Sequence, residues 1–198
     1  FNRDNKGAMI DLKLVINVTE LSYQGQIMYG AMQGDNTLGI VSKIIGLEGS
    51  QLFEAIGHLK GNRLLQELEF CFCNYNEKIL QAMIDVLPTI SKLKNLTLSS
   101  LSVEDKSHWS SIIKSLGKLK ISNLRISERV LEDENLCIFS SGIKSFKSLT
   151  SLSLNFAACN ITDVGFRALC GEGLKSLELL ETLVLDFENC YQITGENL

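Results

Sequence analysis

Large apolar residues recur along this chain in the frame L-x-x-L-x-L: Leu65, Leu68, Phe70; Leu93, Leu96, Leu98; Ile121, Leu124, Ile126; Leu149, Leu152, Leu154; and Leu180, Leu183, Leu185. The second positions fall at 68, 96, 124, 152 and 183, so successive intervals are 28, 28, 28 and 31 residues. Self-similarity at a fixed period of this size marks a repeat architecture and decides how every shorter pattern is read. A looser copy, Met9, Leu12, Leu14, sets Leu12 56 residues before Leu68, twice the interval, and assigns an intervening unit centred on Leu38 and Ile40.

Within each unit the apolar period changes. Leu152, Leu154 and Phe156 alternate with polar residues, as do Leu183, Leu185 and Phe187, which is the period of a strand with one face turned inward. Helical spacing follows in Leu52, Phe53, Ile56, Leu59, then Leu80, Met83, Ile84, Leu87, then Trp109, Ile112, Ile113, Leu116. Ser50 is expected to cap the first of these helices. Gly61 and Gly117, each seven residues before a strand anchor, are expected as left-handed helix stops. One strand and one helix per unit, always in the same direction, predict a parallel sheet with helices along its other side. No unit can hide its leucines alone; its neighbours must cover them.

Two stretches are nearly the same sentence: LTSLSLNFAACNITDVG from Leu149 and LVLDFENCYQIT from Leu183. With their L-x-x-L-x-L frame they resemble the leucine-rich repeat. The variety is the long, helix-containing one of ribonuclease-inhibitor-like proteins and of repeat arrays in single-celled eukaryotes. Cys159 with Asn160, and Cys190, stand at the turn that the family fills with asparagine or cysteine. The units near Leu96 and Leu124 depart from it, carrying Ser99, Ser100, Ser102, Ser122 and Ser127 in place of that residue. The resemblance implies an α/β leucine-rich repeat solenoid: a right-handed βα horseshoe or arc, with the parallel sheet on the concave side and helices on the convex side. Residues 1–60 are then degenerate repeats or an N-terminal cap, and residues 61–198 are repeats of about 28 residues. The last residues, GENL, fall within an expected helix without a polar cap, so the array is expected to continue beyond Leu198 or to be covered by a partner.

The function implied by the resemblance is a non-enzymatic protein–protein interaction scaffold, a segment or subunit of a larger assembly. One alternative is an inhibitor or GTPase-activating-type regulator of an enzyme; the latter would need an arginine-bearing rim and an acidic tail, neither of which is visible. Another is an extracellular recognition ectodomain. Repeats of that kind are shorter and proline-bearing, whereas Pro88 is the sole proline here.

Composition narrows the partners. A chain of 198 residues that is 45% hydrophobic and 21% charged has ample material for a packed core. A net charge of -4, with acids and bases interspersed along the sequence, argues against nucleic acid. The chain begins at Phe1 without a leader pattern, and no basic amphipathic stripe or bilayer-length apolar run suggests a membrane. The six cysteines (Cys71, Cys73, Cys137, Cys159, Cys170, Cys190) read as small buried hydrophobes of a reducing compartment. A cytoplasmic location follows, with attachment to a cytoskeletal or other large assembly left open. Asn17, Asn95 and Asn160 head N-x-T triplets, glycosylation acceptors only in a secreted chain.

Candidate chemistry is sparse. His58 and His108 lie in or near expected helices among polar neighbours and read as surface residues. Cys71 and Cys73 form a C-x-C pair without a second pair at zinc-ligand spacing. GLEGSQLFEAIG lacks the lysine and hydroxyl of a phosphate-binding loop. Asp163 is expected to accept backbone hydrogen bonds at a helix start. Cys159 and Cys190, each seven residues after an anchor, are expected to stack as a structural ladder. No enzyme, cofactor, metal or small-molecule substrate is expected.

A binding surface is expected on the outward side of the strands. The position between the two anchors is Glu69, Thr97, Arg125, Ser153 and Val184, and the next outward position is Cys71, Ser99, Ser127, Asn155 and Asp186. The preceding one is Glu67, Asn95, Asn123, Ser151 and Thr182. Interface anchors are enriched in Trp, Tyr and Arg, and among these residues Arg125 alone qualifies. The expected protein-binding residues are Glu69, Thr97, Arg125, Ser153, Asn155, Val184 and Asp186, with Glu69 and Asp186 as rim charges; the alternative is that these residues are merely solvated and contacts run through the helical side, the edges or the open ends.

Overall fold

The computed structural model describes residues 12–18, 41–45, 53, 56–63, 65–72, 77–99 and 106–195. Leu38, Ile40, Ser50 and Cys73 lie outside them. Strands β1 (Leu12–Val18), β2 (Val41–Ile45), β3 (Leu65–Phe72), β4 (Asn95–Ser99), β5 (Asn123–Ser127), β6 (Ser151–Asn155) and β7 (Thr182–Asp186) form one sheet. Its order is β2-β1-β3-β4-β5-β6-β7, and every pairing is parallel. Parallel neighbours need a crossover, and helices supply it: α1 (Glu77–Val86), α2 (Lys106–Leu116), α3 (Asp133–Ile143) and α4 (Asp163–Ala168). After α4 the chain passes through a wider helical turn, Leu169–Gly173, and a short 3-10 turn, Leu174–Ser176, before β7. The fold is α/β.

From β3 onward the register is the one the leucine spacing predicts. Leu68 lies opposite Leu96, Leu96 opposite Leu124, Leu124 opposite Leu152, and Leu152 opposite Leu183. Strands β4 to β7 are each preceded by a further bond: the amides of Lys94, Ser122, Thr150 and Glu181 donate to the carbonyls of Gln66, Lys94, Ser122 and Thr150, all at 2.8 Å.

The first units differ from expectation. Leu14, not Leu12, lies opposite Leu68, with an irregularity between Leu12 and Lys13. A slip of two residues keeps every side chain on its side of the sheet, because strand alternation has period two, so hydrophobic patterning alone does not resist it. The unit expected between β1 and β3 is not between them in space. β2 starts at Val41 and pairs on the far edge of β1.

Inward residues of β3 to β6 share one core with the helices. Leu68, Leu96, Leu124 and Leu152 are at most 2% exposed, and Met83, Trp109, Leu116, Phe139 and Ile143 close over them. Two polar groups drawn into this layer are satisfied across units. The Trp109 indole N–H donates to the Asn135 carbonyl at 2.8 Å, and the Ser115 hydroxyl donates to the Ile84 carbonyl at 2.8 Å, so each stitches one helix to the next. Of the two glycines expected as helix stops, Gly61 has φ +71 and its amide donates to Thr89 Oγ1 at 2.8 Å. Gly117 does not adopt positive φ; its role is spatial, since a Cβ there would stand 2.1 Å from the Ser145 hydroxyl of the following unit.

At the β7 edge the cover ends among the described residues, and Leu183, in the same register position, is 43% exposed. Phe187 is held there by edge-on contacts with Phe156 at 5.8 Å and Phe166 at 5.1 Å. Phe53, expected on a buried helix face, is 53% exposed, while Ile56 and Leu59 are buried.

Equivalent leucines therefore carry unequal weight. Leu124→Ala and Leu152→Ala are each expected to lower unfolding free energy by about 2–5 kcal/mol, the range for truncating a buried leucine. Leu183→Ala is expected to cost about half of that or less, because part of its surface is already in water. Calorimetric or denaturant unfolding checks the ranking, and equal losses at all three sites would contradict it.

Candidate functional site

Period two in the strands places alternate residues on the sheet face away from the shared core. Glu69, Thr97, Arg125, Ser153 and Val184 are register partners across five adjacent strands, and Asn155 pairs with Asp186 in the next row. All seven sequence-derived residues thus come together on one face. At a strand spacing of about 4.8 Å the central row spans about 19 Å. Arg125 is exposed in its middle, flanked by the short side chains of Thr97 and Ser153, and makes no ion pair among the described residues. Val184 is 51% exposed and gives the row an apolar end.

Asp186 is not the free rim charge expected of it. One carboxylate oxygen accepts from the Asn155 side-chain amide at 2.8 Å and the other from the Glu188 amide at 3.0 Å, so the group braces the turn after β7. A parallel contact joins Asn123, whose side-chain amide donates to the Asn95 side-chain oxygen Oδ1 across β4 and β5. These cross-strand amide contacts were not drawn from the sequence. Their signal was there: Asn95 and Asn123 are the same residue type at the same register position.

Two turns beside this face explain why the chain repeats itself. The Cys159 amide donates to the Phe156 carbonyl and the Cys190 amide to the Phe187 carbonyl, both at 3.1 Å. The residue before each cysteine is left-handed, Ala158 at φ 59 and Asn189 at φ 62. Asparagine adopts that region more readily than alanine, so the turn at Ala158 is the more strained of the two. The Cys159 thiol donates to the Glu128 carbonyl at 3.4 Å and the Cys190 thiol to the Phe156 carbonyl at 3.1 Å, each reaching back to the preceding unit. Burial pushes the Cys159 thiol up to about 11, and burial also raises Cys190. Both stay protonated near neutrality and act as buried donors, not nucleophiles. Cys137, Cys159, Cys170 and Cys190 are all free thiols.

Asp163 does not cap its own helix. The cap of α4 is Thr162, whose hydroxyl oxygen accepts from the Val164 amide at 3.1 Å. The Asp163 carboxylate instead accepts from the next unit: the Thr194 amide at 2.9 Å, the Gly195 amide at 3.1 Å and the Thr194 hydroxyl at 2.7 Å. Asp133 does the same one unit earlier, with the Thr162 amide at 2.8 Å, the Gly165 amide at 3.0 Å and the Thr162 hydroxyl at 2.6 Å. Each carboxylate clamps the following turn, and the helix N-terminus on which it sits favours its charge.

The histidines stay at the periphery: His108 Nε2 lies 3.3 Å from Glu77 Oε1 of the preceding helix, and His58 is exposed. Among the described residues no three His, Cys, Asp or Glu side chains are grouped to hold a metal ion, and no helix is long and apolar enough to cross a membrane. What the arrangement can do is present fixed rows of hydroxyls, amides and one guanidinium to another surface. Comparison with protein-family models and with curated proteins produced no match.

The clamp predicts an acid-sensitive unit. Bonds from the Thr194 hydroxyl and the Gly195 and Thr194 amides hold the Asp163 carboxyl below its ordinary range. A depressed folded-state value means that its contribution is present above the unfolded value, near pH 4, and is lost as pH falls through the lower folded value. Asp163→Asn should flatten that part of the wild-type acid unfolding profile while leaving the profile near neutrality parallel to wild type. Thermal melts across a pH series check this, and an unchanged acid slope would contradict the clamp.

Proposed function

We propose that the chain is a leucine-rich-repeat-type solenoid that serves as a non-enzymatic protein-binding scaffold, a segment or subunit of a larger assembly in a reducing, cytoplasmic setting. The observation that carries this reading is the constant register of β3 to β7, which repeats one outward position five times and sets an exposed arginine at its centre. Helices are about 10 Å wide and strands about 4.8 Å apart, so stacking one of each per unit favours an arc with the sheet on the inner side. A surface built on backbone pairing is ordered before the partner arrives, which lowers the entropic cost of association. Arginine is a frequent anchor of such interfaces, and Thr97 and Ser153 leave the Arg125 guanidinium accessible from both sides.

Arg125→Glu reverses that charge at an exposed position and should leave the melting temperature unchanged. Affinity isolation from the native source with wild-type and variant protein, followed by quantitative mass spectrometry, is the test. The sheet-face reading expects recovery of at least one wild-type partner to fall about tenfold, the scale of a modest interface hot spot. Equal recovery of every partner would overturn it.

A further inference from the structure

Around α2 and α3 the fold gathers basic side chains from stretches that hold no acid. No acidic residue occurs from Lys106 to Ser127 or from Asn135 to Thr162. The ends of α2 and α3 and the turns after them carry Lys114, Lys118, Lys120, Lys144 and Lys147, all exposed, and Lys92 and Lys94 continue the row in the turn after α1. Acids occur where strands lead into helices, as at Glu132, Asp133, Asp163, Asp186 and Glu188, and, in the last unit, also between α4 and β7 at Glu172, Glu178 and Glu181. The helix dipole favours a lysine in a last turn, but Lys92, Lys94, Lys118, Lys120 and Lys147 lie beyond the helix ends.

The row borders a groove. Between α2 and α3 lies a cleft of about 530 Å³, with Ile113, Gly117 and Gly142 in its lining and Lys114, Lys118 and Lys144 around it. It continues toward Cys137 and Ile138, where the exposed Glu134 also lines it, so the cationic end is the one at Lys114 and Lys118. The helices close tightly here, since a Cβ on Gly142 would stand 2.1 Å from the Ile113 side chain, and Gly117, Ser141, Gly142 and Ser145 keep the lining small above the buried Ile113. A carboxylate already sits at its rim: Glu172 of the next unit lies 3.0 Å from Lys144 Nζ. Lys114 and Lys118 make no such pair among the described residues.

We propose that this groove docks an acidic segment of a protein partner, with carboxylates on Lys114 and Lys118 and an apolar side chain against the partly exposed Ile138. Charge complementarity selects the occupant. An acidic peptide fits better than a nucleic acid because the cations are lysines, without the planar fork that grips phosphate, and because Trp109, Phe139 and Phe146 are buried and offer no stacking platform. The site is on the helical side and stands independently of the sheet-face reading.

The test measures fluorescence anisotropy of a labelled peptide of Glu-Glu-Leu repeats and of labelled oligothymidylate of equal charge. Wild-type protein is compared with Lys114→Glu/Lys118→Glu, with Ser141→Trp, which fills the groove without changing charge, and with Arg125→Glu. Peptide affinity should drop about tenfold or more in the double lysine variant and severalfold in Ser141→Trp, and stay within twofold for Arg125→Glu, with melting temperatures matched. An unchanged peptide affinity in both groove variants overturns the proposal, as does tighter binding of oligothymidylate than of peptide. A loss in Arg125→Glu alone would move the acidic segment to the sheet face instead.

Discussion

Burial of leucine surface between neighbouring units is the interaction on which everything else here rests. A strand of five residues and one helix enclose too little volume to hide their own apolar face, so Leu96 is dry only because β3 and β5, with their helices, flank it. The contrast with Leu183 makes the dependence visible. It has the same register position and the same chemistry, but no strand beyond it among the described residues, and it is 43% exposed. Stability in such a stack is a sum over neighbours, and uniform spacing is what lets each unit serve its neighbour in the same way.

Smaller interactions fix the spacing. The serine, threonine and lysine backbone bonds at the strand starts hold one side of each unit, and the aspartate clamps and cysteine donors hold the other. None of these groups is free for chemistry: the carboxylates are bonded across units, and the buried thiols remain protonated. These side chains serve register, and recognition is proposed for two surfaces. One surface is the hydroxyl- and amide-rich sheet face around Arg125, and the other is the lysine-bordered groove between α2 and α3.

Much of this was legible in the sequence because the signal was redundant. Four anchors at equal intervals fix strand identity, direction and register together, so the partners of Leu96, Leu124 and Leu152 could be named from spacing alone. Where one leucine stood without that redundancy, as at Leu12, the pairing settled two residues away on Leu14, a slip that hydrophobic alternation tolerates. The outward residues followed from alternation, but the engagement of Asp186 with Asn155 and of Asp163 with Thr194 did not. Those bonds join groups that are 31 residues apart and that look like ordinary rim and cap residues in isolation. Gly117 was misassigned for a similar reason, since a glycine before a strand anchor reads as a turn until the neighbouring Ser145 is in place. The basic edge was legible only in part: the stretches from Lys106 to Ser127 and from Asn135 to Thr162 hold no acid, but that their lysines border one groove follows only from the fold.

Native-state hydrogen exchange on a Leu96→Ala variant tests most directly whether units share one lining. If they do, removing this side chain raises exchange not only in β4 but also in β3 and β5, whose leucines lose the surface that covered them. Faster exchange confined to β4, with β3 and β5 protected as in the wild type, would contradict mutual burial and the account built on it.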